Sequence, residues 1–192
     1  MGTPPGNGES NQDVTTFTRL LAVFTFLLLL YTAIPYITTS GTNLAPVEPV
    51  PQRVRIIGYD RDQMFGTWLP GVRESVVEAS GATDPYSGEP LDLSTAEVDH
   101  ILPLSAAWDL GAHSWTALER IEFANDPANL VLVNRAENQQ KSDQLPSQWL
   151  PTDRSIRCWY VGRLFDVAAA YDLPLPEQDI RVGRRSCGLA IL

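Results

Sequence analysis

The sequence predicts an α+β fold in one domain, preceded by a single apolar span. Three observations predict it. Two short runs rich in β-branched residues, "AEVDHIL" (96–102) and "NLVLV" (129–133), have the length and composition of strands. Helical segments separate them, and a further helical segment, "RAENQQK", follows the second run directly. Nothing in the chain reads as a βαβ repeat or a glycine-rich phosphate loop.

Residues 1–19, "MGTPPGNGESNQDVTTFTR", are polar and rich in Gly, Pro, Asn and Thr, and predict a disordered tail. Leu20 to Ile37 carries no charge over eighteen residues, just enough to cross the hydrocarbon of a bilayer. A transmembrane anchor is the reading favoured here. A cleaved signal peptide competes, because "TTSG" (38–41) supplies small residues; against it, the run is long and no basic cluster precedes it. Arg19 is the only basic residue before the span and Arg53 the first beyond it. That predicts a single-pass protein with its N-terminus inside and its domain outside, in contact with the membrane through residues 20–37. Either reading exports the domain. The segment 38–53, with Pro46, Pro49 and Pro51, is expected to be a spacer, and the folded domain to run over 54–192.

Within that domain "VRESVVEA" predicts a short helix ended by Gly81, and "DPYSGEPLDLS" a string of turns. "SAAWDLG" and "SWTALERIEFAND" predict helices, the second capped by Ser114 and stopped by Pro127. From Ser155 to Tyr171 the residues Ile156, Trp159, Tyr160, Leu164, Val167 and Tyr171 recur at helical spacing, with Asp153 or Ser155 as cap. Cys158 and Cys187 are expected to pair in an exported domain, closing a loop that contributes roughly 3.6 kcal/mol in the chain-entropy model.

A net charge of -9 argues against a protein that coats nucleic acid. Any such function would work through local basic groups or a metal ion. Two cysteines cannot build a four-thiolate zinc site, and no His-Glu-x-x-His pattern occurs. What stands out is Asp99 beside His100, in a chain with two histidines. Burying either unpaired costs several kcal/mol. Neighbours on a regular strand project to opposite faces, so the pair can serve one site only if the strand ends or bulges there. Pro103 makes an early end natural.

"VDHILPL…NLVLVNRAENQQKSD" resembles the His-Asn-His (HNH) motif of the ββα-metal nucleases. With "GYDRDQMFGTW", "DPYSG", "FANDPANLVLV", "WLP", "RCWYV" and "YDL", the chain is similar to exported actinobacterial-type HNH nucleases. These are related to the C-terminal nuclease domain of modification-dependent restriction enzymes. The resemblance covers about two-thirds of the chain, from Tyr59 to Cys187. It implies a ββα-metal core elaborated with helices, and a metal-dependent endonuclease acting on nucleic acid, with DNA favoured over RNA. It implies that His100 is the general base, that Asp99 and Asn138 ligate one divalent cation, and that Asn129 orients the imidazole. Lys141 becomes a candidate phosphate contact, and the products 5′-phosphate and 3′-hydroxyl ends. No protein partner is implied.

The residue types suit that chemistry independently. A general base supplies about 10²–10⁴-fold, far short of what phosphodiester cleavage needs. A cation must therefore carry charge on the phosphate oxygens. One carboxylate with one amide oxygen suits Mg²⁺, with Mn²⁺ as the alternative. The chain also departs from the family pattern. The interval 69–83, "LPGVRESVVEASGAT", is short and lacks two cysteines found in relatives, which leaves open how a substrate strand is held. The rival readings are a nuclease fold that binds without cutting, and an envelope-anchored structural protein.

Overall fold

The computed structural model describes Gly2 and residues 44–188. The predicted tail and the apolar run 20–37 lie outside the described residues. No helix among the described residues is long and apolar enough to cross a membrane.

The architecture is α+β, with short strands set among helices. Strand β1 (Pro49–Val50) opens the fold, followed by helices α1 (Arg61–Phe65) and α2 (Val72–Ala79). Strand β2 (Glu97–His100), helix α3 (Leu104–Leu110) and helix α4 (Ala117–Ala124) come next. Then come β3 (Leu130–Val133), α5 (Arg135–Lys141), α6 (Arg157–Ala170), β4 (Leu175–Pro176) and α7 (Glu177–Ser186). Strands β2 and β3 pair antiparallel, with Glu97 opposite Val133, Asp99 opposite Val131 and His100 opposite Leu130. With α5 following β3 at once, this is the strand–strand–helix core the sequence predicts. Strands β1 and β4 form a separate two-stranded parallel sheet.

Local chemistry explains most element ends. The expected cap at Ser114 is displaced to Thr116, because 112–114 is drawn into a turn of 3₁₀ helix. Thr116 and Glu119 form a reciprocal capping box, worth about 1 kcal/mol. Helix α6 starts later than the periodicity suggests: Asp153 Oδ1 accepts from the backbone N–H and hydroxyl of Ser155, closing a turn instead of capping the helix. The described part of the segment read as a spacer, 44–53, belongs to the fold. Leu44, Ala45, Val47 and Val50 pack against the core, and Arg53 bonds to Asp109 and Asp143.

The main core gathers Phe65, Tyr86, Ile101, Leu102 and Phe123 around the buried face of α6, where Tyr160, Val161, Leu164 and Phe165 lie. Each such side chain contributes roughly 1.5–3 kcal/mol of burial. A smaller cluster of Val76, Ala96, Leu130 and Leu132 lies under α2. Helices α6 and α7 approach closely at Gly183, where a Cβ would meet Phe165 Cε2 at 2.8 Å.

Cys158, at the start of α6, is bonded to Cys187, just past α7. Reducing this bridge, which spans 29 positions, is expected to lower the unfolding free energy by roughly 3–4 kcal/mol. Denaturant unfolding with and without reductant measures this, and both thiols should resist alkylation until reductant is added. Equal stability in the two states would contradict it.

Candidate active site

Alternation along β2 sends Glu97 and Asp99 to the face carrying α5, and Val98 and His100 to the face carrying α2. The strand ends at His100 and Pro103 starts α3, so the Asp99–His100 pair sits at a strand end, as the sequence requires. Asp99 and His100 both line one open cleft of about 360 Å³, together with Arg61, Trp68, Arg73, Glu97, Val98 and Asn138.

The His100 ring is held on two sides. Its Nε2 lies 2.8 Å from the carbonyl oxygen of Ala124. A carbonyl only accepts, so Nε2 carries the hydrogen and Nδ1 keeps the lone pair. Trp68 stacks on the ring, with centroids 5.2 Å apart and planes 5° from parallel. Burial holds the imidazole pKa down to about 4, opposed by the Ala124 carbonyl and reinforced by the charges of Arg61 and Lys141. At neutral pH it is an uncharged base with one nitrogen committed and one available.

Asn129 is fully buried at the start of β3. Its Oδ1 accepts from the Leu102 backbone N–H at 2.7 Å, and its Nδ2 donates to the Leu102 carbonyl at 3.1 Å. Both ends of the amide are thus used on the backbone two residues beyond His100. Asn129 fixes the strand end rather than touching the imidazole, and ring orientation falls to Ala124 and Trp68.

Asp99 is buried, and so, completely, is Lys141. The Lys141 ammonium lies 3.0 Å and 2.9 Å from the two carboxylate oxygens and donates to the His100 carbonyl at 2.7 Å. Tyr86 donates its hydroxyl to Asp99 Oδ2 at 2.7 Å. Burial raises the Asp99 carboxyl, opposed by Lys141 and Tyr86, while burial and Asp99 keep the Tyr86 phenol protonated. The phosphate-contact reading of Lys141 does not fit this geometry, since its ammonium is enclosed and satisfied within the core.

Asn138 sits on α5 and donates Nδ2 to Glu97 Oε2 at 2.8 Å, while Arg135 donates to Glu97 Oε1, also at 2.8 Å. A carboxylate accepts only, so it fixes which end of the amide faces it and leaves Asn138 Oδ1 for another partner. Sequence reasoning missed Glu97 and Tyr86. Glu97 had a signal, lying two positions before Asp99 and so on the same strand face. Tyr86 lay within the "DPYSG" motif, where Asp84 Oδ1 accepts from the backbone of Tyr86 and Ser87 and so aims the ring inward.

No group of three or more His, Cys, Asp or Glu residues is placed to hold a metal among the described residues. A carboxylate and an amide oxygen form a different donor set. Both are hard oxygens and Asn138 Oδ1 is open, while the Asp99 carboxylate already meets Lys141 on both oxygens and Tyr86 on one. The donor types of Asp99 and Asn138 suit a small hard cation that keeps several waters, which would share Asp99 with the Lys141 ammonium.

No solved structure matches the chain. A relative from Arthroderma benhamiae, described as an uncharacterized secreted protein, is 34% identical over 169 residues, covering 76% of this chain and 82% of its own. That finding overturns the membrane-anchored placement expected from the sequence. Residues 67–175, more than half of the chain, match the family described as GmrSD restriction endonucleases, C-terminal domain. The chain belongs to that family, and so to the endonucleases, a class of hydrolases.

Proposed function

We propose that this protein is a secreted, divalent-metal-dependent HNH-type endonuclease that hydrolyses phosphodiester bonds, with DNA as the favoured substrate. One observation carries the reading. The His100 ring is pinned through Nε2–H, leaving a neutral Nδ1 in the cleft that Asp99 and Asn138 also line. Nδ1 takes the proton of the attacking water, and Ala124 stabilises the imidazolium that forms by accepting from its opposite nitrogen. Trp68 holds the ring plane. Asp99 and Asn138 would hold Mg²⁺ or Mn²⁺, with Glu97 keeping the Asn138 oxygen turned outward, and the ion would supply charge neutralisation at the phosphate. The products carry 5′-phosphate and 3′-hydroxyl ends. Export accords with the Cys158–Cys187 bridge and with the secreted relative.

The test is nicking of supercoiled plasmid beside a structured RNA, with Mg²⁺ or Mn²⁺ and with EDTA. Metal-dependent nicking that EDTA stops is expected, with plasmid cut faster than RNA. Absence of cutting under every metal condition would overturn the proposal.

The base must be neutral to work, so the rate falls as acid protonates it. Because burial lowers the His100 pKa to about 4, the acid limb of the pH–rate profile is expected well below the ordinary value of 6.5. A limb centred at 6.5 or above would contradict the buried-base assignment.

A further inference from the structure

The polyanion problem posed by a net charge of -9 narrows to a few side chains at the cleft. Two nearby cations are already neutralised. Lys141 is enclosed with Asp99, and Arg135 lies on Glu97. Two arginines remain among the residues lining the cleft, Arg61 and Arg73. The Arg61 guanidinium lies 5.7 Å from the ring centroid of Trp68, the same ring that stacks on His100. Its one ion pair among the described residues, to the adjacent Asp62 at 3.0 Å, is exposed on both sides, a weak kind that yields readily to a phosphate.

Arg73 is more telling. It is exposed, and no ion pair or hydrogen bond holds its side chain among the described residues. It also occupies the first turn of α2, where the helix dipole disfavours a cation. A cation kept there without a partner, on the wall of a cleft, is poised for an anion from outside. Arg73 also lies within the short interval 69–83, whose missing cysteines left open how a strand is held.

Resting on the endonuclease reading, we infer that Arg61 and Arg73 are the phosphate-binding residues of the cleft, gripping the phosphodiester backbone of the substrate beside the cleavage point. Guanidinium groups suit this role because their forked donors match phosphate oxygens. The contact is to backbone, so it confers no base preference.

The test is binding of a fluorescent duplex and its single strand by the full chain in EDTA, titrated with salt. Each lost phosphate contact should lower the slope of log K against log salt by about 0.9 on duplex and about 0.7 on single strand. Arg61→Ala and Arg73→Ala are each expected to show that loss and a raised KM for nicking with little change in kcat. Arg73→Lys should keep most of the slope. Arg163→Ala, whose guanidinium bonds the carbonyls of Pro127 and Ala128 away from the cleft, should keep all of it. Cutting by wild type with unchanged slopes in both arginine variants would overturn this inference alone. Absence of both binding and cutting by wild type would overturn the endonuclease reading and this inference with it.

Discussion

Replacing His100 with alanine should abolish nicking while leaving the fold intact. The expected loss is about 10²–10⁴-fold in kcat, the range that a positioned general base supplies. Removing the imidazole also removes the Trp68 stacking partner and the bond to Ala124, so some stability is lost. Circular dichroism and a denaturation midpoint separate that from chemistry. Binding of duplex in EDTA should be nearly unchanged, because His100 is assigned to proton transfer and not to holding phosphate. Equal cutting by wild type and His100→Ala would remove His100 from the mechanism.

The second large effect is on stability. Lys141→Met leaves the Asp99 carboxylate buried with only neutral partners, such as the Tyr86 hydroxyl, where a matched ammonium stood. Breaking a buried ion pair from one side costs about 3–5 kcal/mol, because the remaining charge is stranded in a poorly polarisable interior. Urea unfolding of the single variant should show a loss of that size. The double variant Lys141→Met with Asp99→Asn should lose less than the sum of the two singles, since neither then leaves a naked charge. Should Lys141→Met instead fold as well as wild type and show only a raised KM, the buried pairing would be wrong and the phosphate role restored.

These two residues show what the sequence could and could not disclose. Strands β2 and β3 and the helix after β3 were legible, because β-branched composition and turn residues mark them locally, while the roles of Asp99, His100, Asn129 and Asn138 came from the resemblance to the HNH nucleases. That Asp99 and His100 could share one cleft was legible too, through the need for the strand to end near Pro103, and Asn138 joined them through the resemblance alone. Which partner each side chain takes was not. Lys141 and Asp99 lie 42 positions apart, and only the packing of α5 on β2 decides that the ammonium turns inward. Asn129 bonds the backbone of Leu102 instead of the imidazole for the same reason, since its reach is set by the β2–β3 register. Helix α7 was not anticipated either. It holds Ile180 against the core and ends at the disulfide, and its largely polar sequence, "EQDIRVGRRS", gives little apolar signal to read. The pairing of Pro49–Val50 with Leu175–Pro176 joins segments 126 positions apart through only two residues each, and two proline-flanked pairs carry no strand periodicity.

The most direct test of the account is anomalous diffraction at the manganese edge from crystals grown with Mn²⁺. The account predicts one strong peak in the cleft, within coordination distance of both a carboxylate oxygen of Asp99 and Oδ1 of Asn138, with His100 Nδ1 facing its water shell. A cleft without a peak, or an ion held by Glu97 with Asp99 still closed on Lys141, would contradict it.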